Sequence, residues 1–274
     1  MPSDLPDPVL STSLGVLYRA DCLTILPSIK DGSVNTFFAD PPFNLNKRYG
    51  NRVSDHLPEE EYLAWCRKWV AEGVRVLADG GAFFLYHLPR WNVPLGAYLG
   101  ELGMTFRHWI AIEHTGHLPI TGRLHPSHYS LLYYTKGKPR VFRRIRTPLM
   151  TCRHCGGEIK DYGGHRKAMN PKGVTLKDVW TDIPPVRHRK FKSNARPANA
   201  LSTKILDRVI EMSTAPGDLV LDPFGGSGTT YAVCEERQRR WIGIEIGDVD
   251  SIRERLNGDV KPHPNSDYVE PCHT

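Results

Sequence analysis

The sequence predicts an α/β protein built on one mostly parallel sheet with helices on both faces. Short apolar runs alternate along the chain with stretches of helical period, the pattern left by strand-helix-strand crossovers. Two of those runs lead straight into turn residues, at Asp40-Pro41-Pro42 and at Asp222-Pro223-Phe224-Gly225-Gly226. The chain's 274 residues are enough to bury one full core.

Leu14 to Arg19 and Val34 to Ala39 read as strands, the first running on to Asp21 and the second to Asp40, with a short helix and turn between them. From Glu59 to Leu77 the residues Tyr62, Trp65, Cys66, Trp69, Val70, Val74 and Leu77 keep the spacing of an amphipathic helix, which Asp79-Gly80-Gly81 closes. Ala82 to Leu88 is a buried strand and Pro94 to Leu102 a helix; Arg107 to Glu113 and Tyr129 to Thr135 are two more strands. Regular structure resumes with a helix from Asn199 to Ser213, the strand Leu219 to Leu221, a helix to about Arg237 and the strand Trp241 to Ile246. The organisation expected is therefore 14–135 and 199–256 as two parts of one domain, 136–198 as an insert without sustained period, and 257–274 as a loose polar tail.

Charge is unevenly spread. Residues 136–196 hold 17 Lys or Arg against four Asp or Glu, so the insert carries +13 while the net charge of the whole chain is +6. Clustered cations on an acidic body suit a polyanion, because phosphate contacts release counterions. The bland alternative is a solvated loop. No apolar run reaches the roughly 20 residues that span a bilayer, and the amino terminus has no basic and apolar leader, so a cytoplasmic protein without membrane contact is expected. Six scattered cysteines do not make a disulfide scaffold. Cys152 and Cys155 form a C-x-x-C knuckle, half of a zinc site that needs two more ligands, with His154 and His165 as candidates.

Two motifs carry chemistry. Asp222 to Thr230 (DPFGGSGTT) links a buried strand to a helix, and its glycines let backbone approach a ligand beside free N–H groups. It is neither the dinucleotide fingerprint nor a P-loop. Alone it fits any doubly wound nucleotide site, but the next strand ends at Glu245, placed to accept from ribose hydroxyls. The second motif is Asp40-Pro41-Pro42-Phe43. Two prolines remove two N–H donors and leave carbonyl acceptors beside a carboxylate and an aromatic face. A planar base could donate both hydrogens of its amino group there while stacking on Phe43. Acceptors drawing that nitrogen out of conjugation would localise its lone pair for attack on a methyl donor.

Together, FFADPPFNL, PGDLVLDPFGGSGTT and ADCLTIL resemble the exocyclic amino DNA methyltransferases of bacteria and phages, in the order called the beta class. The resemblance implies a Rossmann-like, S-adenosyl-L-methionine-dependent fold: a seven-stranded sheet with one antiparallel strand, Tyr129 to Thr135, and the basic insert as target-recognition region. It implies that Asp40, Pro41, Pro42 and Phe43 hold a flipped base, with Asp40 also near the cofactor. Asp222, Phe224, Gly225, Gly226, Ser227, Gly228 and Thr229 would then line the methionine pocket, Glu245 take the ribose, and Asp21 with Cys22 meet the adenine. Arg143, Arg144, Arg146, Arg187, Arg189, Lys190 and Lys192 are the residues expected on DNA phosphates. One departure is Pro197-Ala198-Asn199-Ala200-Leu201-Ser202, where the family often carries a His-Pro-Thr-Gln-Lys-Pro-like segment.

The resemblance also implies a target: members of that family with Asp at the first position of the catalytic motif, as at Asp40, are more often adenine-N6 than cytosine-N4 enzymes. Double-stranded DNA is the expected partner, with a cognate restriction endonuclease as a second, and the oligomeric state, homodimer included, stays open. An RNA or protein-amide methyltransferase and a non-catalytic DNA-binding protein are the competing readings.

Overall fold

The computed structural model describes residues 5–45, 48–49, 53–54, 57–114, 121–122, 124–149, 151–152, 154–161, 163–184, 201–258 and 267–270. In chain order its strands and helices are β1 (Leu10–Ser11), β2 (Gly15–Arg19), α1 (Cys22–Ile25), β3 (Val34–Ala39), β4 (Arg48–Tyr49), β5 (Val53–Ser54), α2 (Glu59–Val76), β6 (Leu77–His87) and α3 (Pro89–Glu101). They continue with β7 (Thr105–Glu113), β8 (His128–Thr135), β9 (Ile145–Thr147), β10 (Val174–Thr175), β11 (Val179–Trp180), α4 (Thr203–Ser213), β12 (Leu219–Asp222), α5 (Thr229–Glu236), β13 (Arg240–Glu245), α6 (Asp250–Asn257) and β14 (Tyr268–Val269).

The main sheet has nine strands in the order β1-β2-β13-β12-β3-β6-β8-β7-β11. Seven of them are the expected set, and β8 is the expected antiparallel strand, paired that way with both β6 and β7. The two additions are two-residue edges. β1 folds back on β2, and β11 adds in parallel to β7.

Helix α2 packs one sheet face with Tyr62, Cys66, Trp69, Val70 and Val76, all buried. Its Gly73 allows the close fit, since a Cβ there would stand 2.8 Å from the rings of Phe37 and Phe83. Expected boundaries shift where turn residues were over-read. Asp79-Gly80-Gly81 lies inside β6, where Gly80 takes φ +74° and donates to the Lys136 carbonyl at 2.7 Å, and the β3–β6 register slips beside it. That is a β-bulge, which also uses glycine. Helix α3 starts at Pro89, since proline is at home in a first turn, and Pro94 sits inside it rather than opening it.

The larger correction concerns the insert and the tail. Trp180 is buried, β9 pairs with β10 from the insert and with β14 from the tail, and Ile145 joins the core. The chemical reason is Arg208, fully buried on α4. Its guanidinium holds Asp182 of the insert through two bonds of 2.9 and 2.6 Å and Asp267 of the tail at 2.7 Å, and it lies 4.9 Å over the Trp180 ring. Lys204 adds a second cation at 2.7 Å from Asp182. A planar fork is suited to such bidentate pairing. Charge counting alone does not single out these carboxylates.

Removing one partner from a buried pair strands the other charge. Asp267→Ala is expected to lower stability by about 3 kcal/mol, read as a fall in the urea midpoint at constant slope. An unchanged midpoint would reject the clamp.

Candidate active site

The strand order places the carboxyl ends of β2, β13, β12, β3 and β6 side by side. Residues that follow those strands therefore share one edge: Asp21 and Cys22, Glu245, Asp222 to Thr229, Asp40 to Phe43, and His87. This edge of a parallel sheet is where ligands bind in open α/β folds.

Around the glycine loop the backbone is tightly drawn in. Glu245 accepts from the Gly226 amide and the Gly247 amide, each at 2.6 Å, so its carboxylate pins the loop to the end of β13. Each oxygen keeps a second lone pair. A Cβ on Gly225 would stand 2.7 Å from the Tyr231 hydroxyl, and Gly228 caps α5 in the left-handed region at φ +75°. Gly225 and Gly228 spend their amides on Ile244 and Gly225 carbonyls. The amides of Ser227 and Thr229 meet no acceptor among the described residues. Phe224 packs its ring edge-on against Trp69, with centroids 5.2 Å apart.

The electrostatics of this edge are lopsided. Asp222 is buried, accepts from Thr230 Oγ1 at 2.5 Å and from the Phe224 amide at 2.9 Å, and burial still pushes its carboxyl up to about 7. Burial, and then the charge of Asp222, hold Asp40 well above the usual carboxylate range. Burial raises Glu245 too, against the amides of Gly247 and Gly226. Among the described residues no Lys or Arg pairs with any of the three. Desolvated carboxylates without a protein cation favour either a proton or a positively charged ligand.

The second motif is held unlike an ordinary strand end. Tyr62 of α2 donates its hydroxyl to the Pro42 carbonyl at 2.5 Å, and Trp91 Nε1 of α3 donates to the Phe43 carbonyl at 3.0 Å. Of the two proline carbonyls expected to face outward as acceptors, that of Pro42 is thus taken, as is the carbonyl of Phe43. No donor among the described residues meets the Pro41 carbonyl. The pair of acceptors left at the motif is the Pro41 carbonyl and the Asp40 carboxylate. Phe43 stacks on His87, with centroids 4.8 Å apart, and tilts against Tyr129 at 5.7 Å.

Sequence reading missed Tyr62, His87 and Trp91 as site residues, counting Tyr62 as core. The signal available was position: His87 ends β6 at the same edge.

Asp21 is exposed and caps α1 through the Leu23 amide at 2.9 Å, while Cys22 is buried with its thiol raised by that burial. In the insert, Arg146 is committed to Glu270 at 2.5 Å and to the Gly173 carbonyl at 3.0 Å, and Arg143 to Glu211 at 3.3 Å. Arg144 is more exposed, at 54%, and 3.6 Å from Glu270. These arginines tie the insert to the tail and to α4. Arg187, Arg189, Lys190, Lys192 and the 197–200 part of the departing segment lie outside the described residues. Cys152 and Cys155 occupy a turn, and no group of three or more His, Cys, Asp or Glu able to hold a metal occurs among the described residues.

Asp222 also makes stability depend on pH. Its carboxyl is raised on folding, from 3.8 to about 7, so across that window the folded chain binds a proton the unfolded chain has lost, and stability falls as pH rises. Asp222→Asn removes that titration. Its urea midpoint relative to the unsubstituted chain should climb between about pH 4 and pH 7, and a constant difference would contradict the raised carboxyl.

Residues 34–250 match the model of a family described as DNA methylase, a span that contains both motifs. The type II methyltransferase M.BamHI of Bacillus amyloliquefaciens is 53% identical over 255 residues, covering 93% of this chain and 60% of its own length. The type II methyltransferase M.HpaI of Haemophilus parainfluenzae is 30% identical over 252 residues, covering 89% of this chain and 74% of its own. This chain thus spans less than two thirds of M.BamHI. Among solved structures, the cytosine-N4-specific PvuII DNA methyltransferase shares the fold with a TM-score of 0.67 at 20% identity, covering 92% of this chain and 90% of that one. The M1.HpyAVI–SAM complex does so with a TM-score of 0.58 at 20% identity, covering 89% of this chain and 100% of that one. By its two motifs, its sheet order and these matches, the chain belongs to the N6/N4 family of DNA methylases.

Proposed function

We propose that this chain methylates the exocyclic amino group of a base in double-stranded DNA, using S-adenosyl-L-methionine. The observation that carries the reading is the juxtaposition of an open Pro41 carbonyl and the Asp40 carboxylate with a second buried carboxylate, Asp222, and no cation paired with them among the described residues. The acceptor pair suits an amino group with two hydrogens, and the unneutralised carboxylates suit a ligand bearing sulfonium and ammonium charge.

When bound, the cofactor supplies an electrophilic methyl group. Phe224, Gly225, Gly226, Ser227, Gly228 and Thr229 would enclose its methionine end, with the Ser227 and Thr229 amides facing the carboxylate. Glu245 would use its remaining lone pairs on the ribose, and Asp21 with Cys22 would border the adenine. Asp40 then acts twice. Burial raises its carboxyl above the ordinary range, positive charge arriving beside it would favour the ionised, accepting form, and with Pro41 it would draw the amino nitrogen out of conjugation. Phe43 presents its ring to the base, which must leave the duplex to reach it.

Arg144, with Arg187, Arg189, Lys190 and Lys192, is proposed to meet phosphates, and 136–198 to read the target. Arg143 and Arg146 would act there by holding the insert in place. The designation of M.BamHI and M.HpaI as type II methyltransferases supports a cognate endonuclease as partner. No helix among the described residues is long and apolar enough to cross a membrane.

Adenine N6 is the target that Asp40 favours. Cytosine N4 is the second reading, favoured by the cytosine-N4 specificity of the PvuII enzyme. Incubation with labelled cofactor and duplex DNA, then nucleoside mass spectrometry, separates them: N6-methyladenine supports the first, N4-methylcytosine the second, and neither overturns both. Asp40→Ala should cut the rate about 100-fold or more, and a variant at the unsubstituted rate would remove Asp40 from the mechanism.

Cofactor affinity should also rise with pH. A cation that pulls protons off Asp40 and Asp222 binds better once they are lost, so the dissociation constant should fall through the pH region around 7, where Asp222 titrates. Calorimetry in buffers of different ionisation heat should show proton release at pH 6. Uptake, or no proton change, would contradict the assigned cluster.

A further inference from the structure

We propose that His87 and Tyr62 form a positioning relay that fixes the direction of the Pro41 carbonyl for the methyl acceptor; this rests on the methyltransferase reading above. His87 Nδ1 accepts from the Leu88 amide at 2.8 Å, which places the ring proton on Nε2. Nε2 lies 2.7 Å from the Tyr62 hydroxyl, so the imidazole donates there and the hydroxyl donates onward to the Pro42 carbonyl. The chain of donors has one direction and ends on the catalytic motif.

The need for it follows from the motif's composition. Neither Pro41 nor Pro42 has an N–H, so no backbone ladder can hold the segment through donors. Only its carbonyls can be gripped, and a grip on the Pro42 carbonyl sets the peptide plane next to the Pro41 carbonyl while leaving that carbonyl open. Trp91 repeats the grip one residue on, and the His87 ring also supports Phe43 from beneath. The relay's root is itself fixed: Ser130 Oγ donates to the His87 carbonyl at 3.1 Å, and Asn92 Nδ2 donates to that Oγ at 2.6 Å. Burial lowers the imidazole to about 3, so it stays neutral and keeps the same tautomer across the working pH range.

Single-turnover methyl transfer by the full chain, preloaded with cofactor and duplex DNA, isolates the step concerned. Tyr62→Phe deletes one oxygen and is expected to slow that step about tenfold or more while both dissociation constants stay within about twofold. His87→Leu should do the same, the double variant should be no slower than either single one, and His87→Gln, which can still donate to Tyr62, should recover most of the rate. Should His87→Leu fail to fold, Tyr62→Phe and His87→Gln carry the test. A Tyr62→Phe chain at the unsubstituted rate, effects that add in the double variant, or a loss confined to cofactor affinity would overturn the relay. An unsubstituted chain that transfers no methyl group to DNA would instead overturn the reading on which it rests.

Discussion

The parallel ladder of β12 between β3 and β13 positions the chemistry of this chain. Val220 and Leu221 pair with Thr36 and Phe37 on one side and with Trp241 and Ile242 on the other. The Leu219 amide donates to Asn35 Oδ1 at 2.9 Å across 184 residues of sequence, and Thr36 Oγ1 meets Ser213 Oγ at 3.0 Å beneath α4. Since β12 and β3 run the same way and in register, Asp222 and Asp40 leave the sheet as neighbours. The glycine loop and the proline motif lie far apart in the chain and adjacent in space for that reason alone.

That adjacency is costly until it is used. Burial raises both carboxyls, the charge of Asp222 raises Asp40 further and that of Glu245 raises Asp222, and no Lys or Arg among the described residues pairs with them. The molecule spends its cations elsewhere. Arg208 and Lys204 hold Asp182 and Asp267, and Arg237 holds Asp207 at 2.7 Å. The first two cations fasten the insert, the tail and α4 to one another, and Arg237 fastens the end of α5 to α4. Under the function proposed, the carboxylates left without a cation among the described residues are where a positive ligand would offset them, which would couple binding to activation of Asp40.

What the sequence disclosed followed periodicity and turn chemistry. The seven central strands and helices α2 and α4 could be read because their apolar residues repeat with a clear period, while the antiparallel setting of β8 followed from the family resemblance alone. Both motifs were visible because Pro and Gly are constrained where they occur. Gly80 misled for the same reason, since a glycine turn and a glycine bulge look alike in one dimension. Helix α6 and the strands of the insert carried no signal, being two to eight residues long and set by tertiary partners. Arg208, Asp182 and Asp267 were illegible individually. Each looks like a solvated charge until its partners are brought from the insert and the tail.

The donors around the proline motif show the same limit more sharply. Pro-Pro announces that two N–H groups are missing, and from this alone it follows that acceptors face outward. It does not follow which of them remain open, because that depends on side chains from other elements. Tyr62 sits on the buried face of a helix, where its ring reads as packing, and Trp91 lies in the first turn of α3. Only when α2 and α3 dock does the Tyr62 hydroxyl take the Pro42 carbonyl and the Trp91 indole take that of Phe43. Filling those two leaves the Pro41 carbonyl beside the Asp40 carboxylate. An amino group with two hydrogens needs two acceptors at a fixed angle, and a segment stripped of its own donors can keep that angle only if neighbouring helices hold it there.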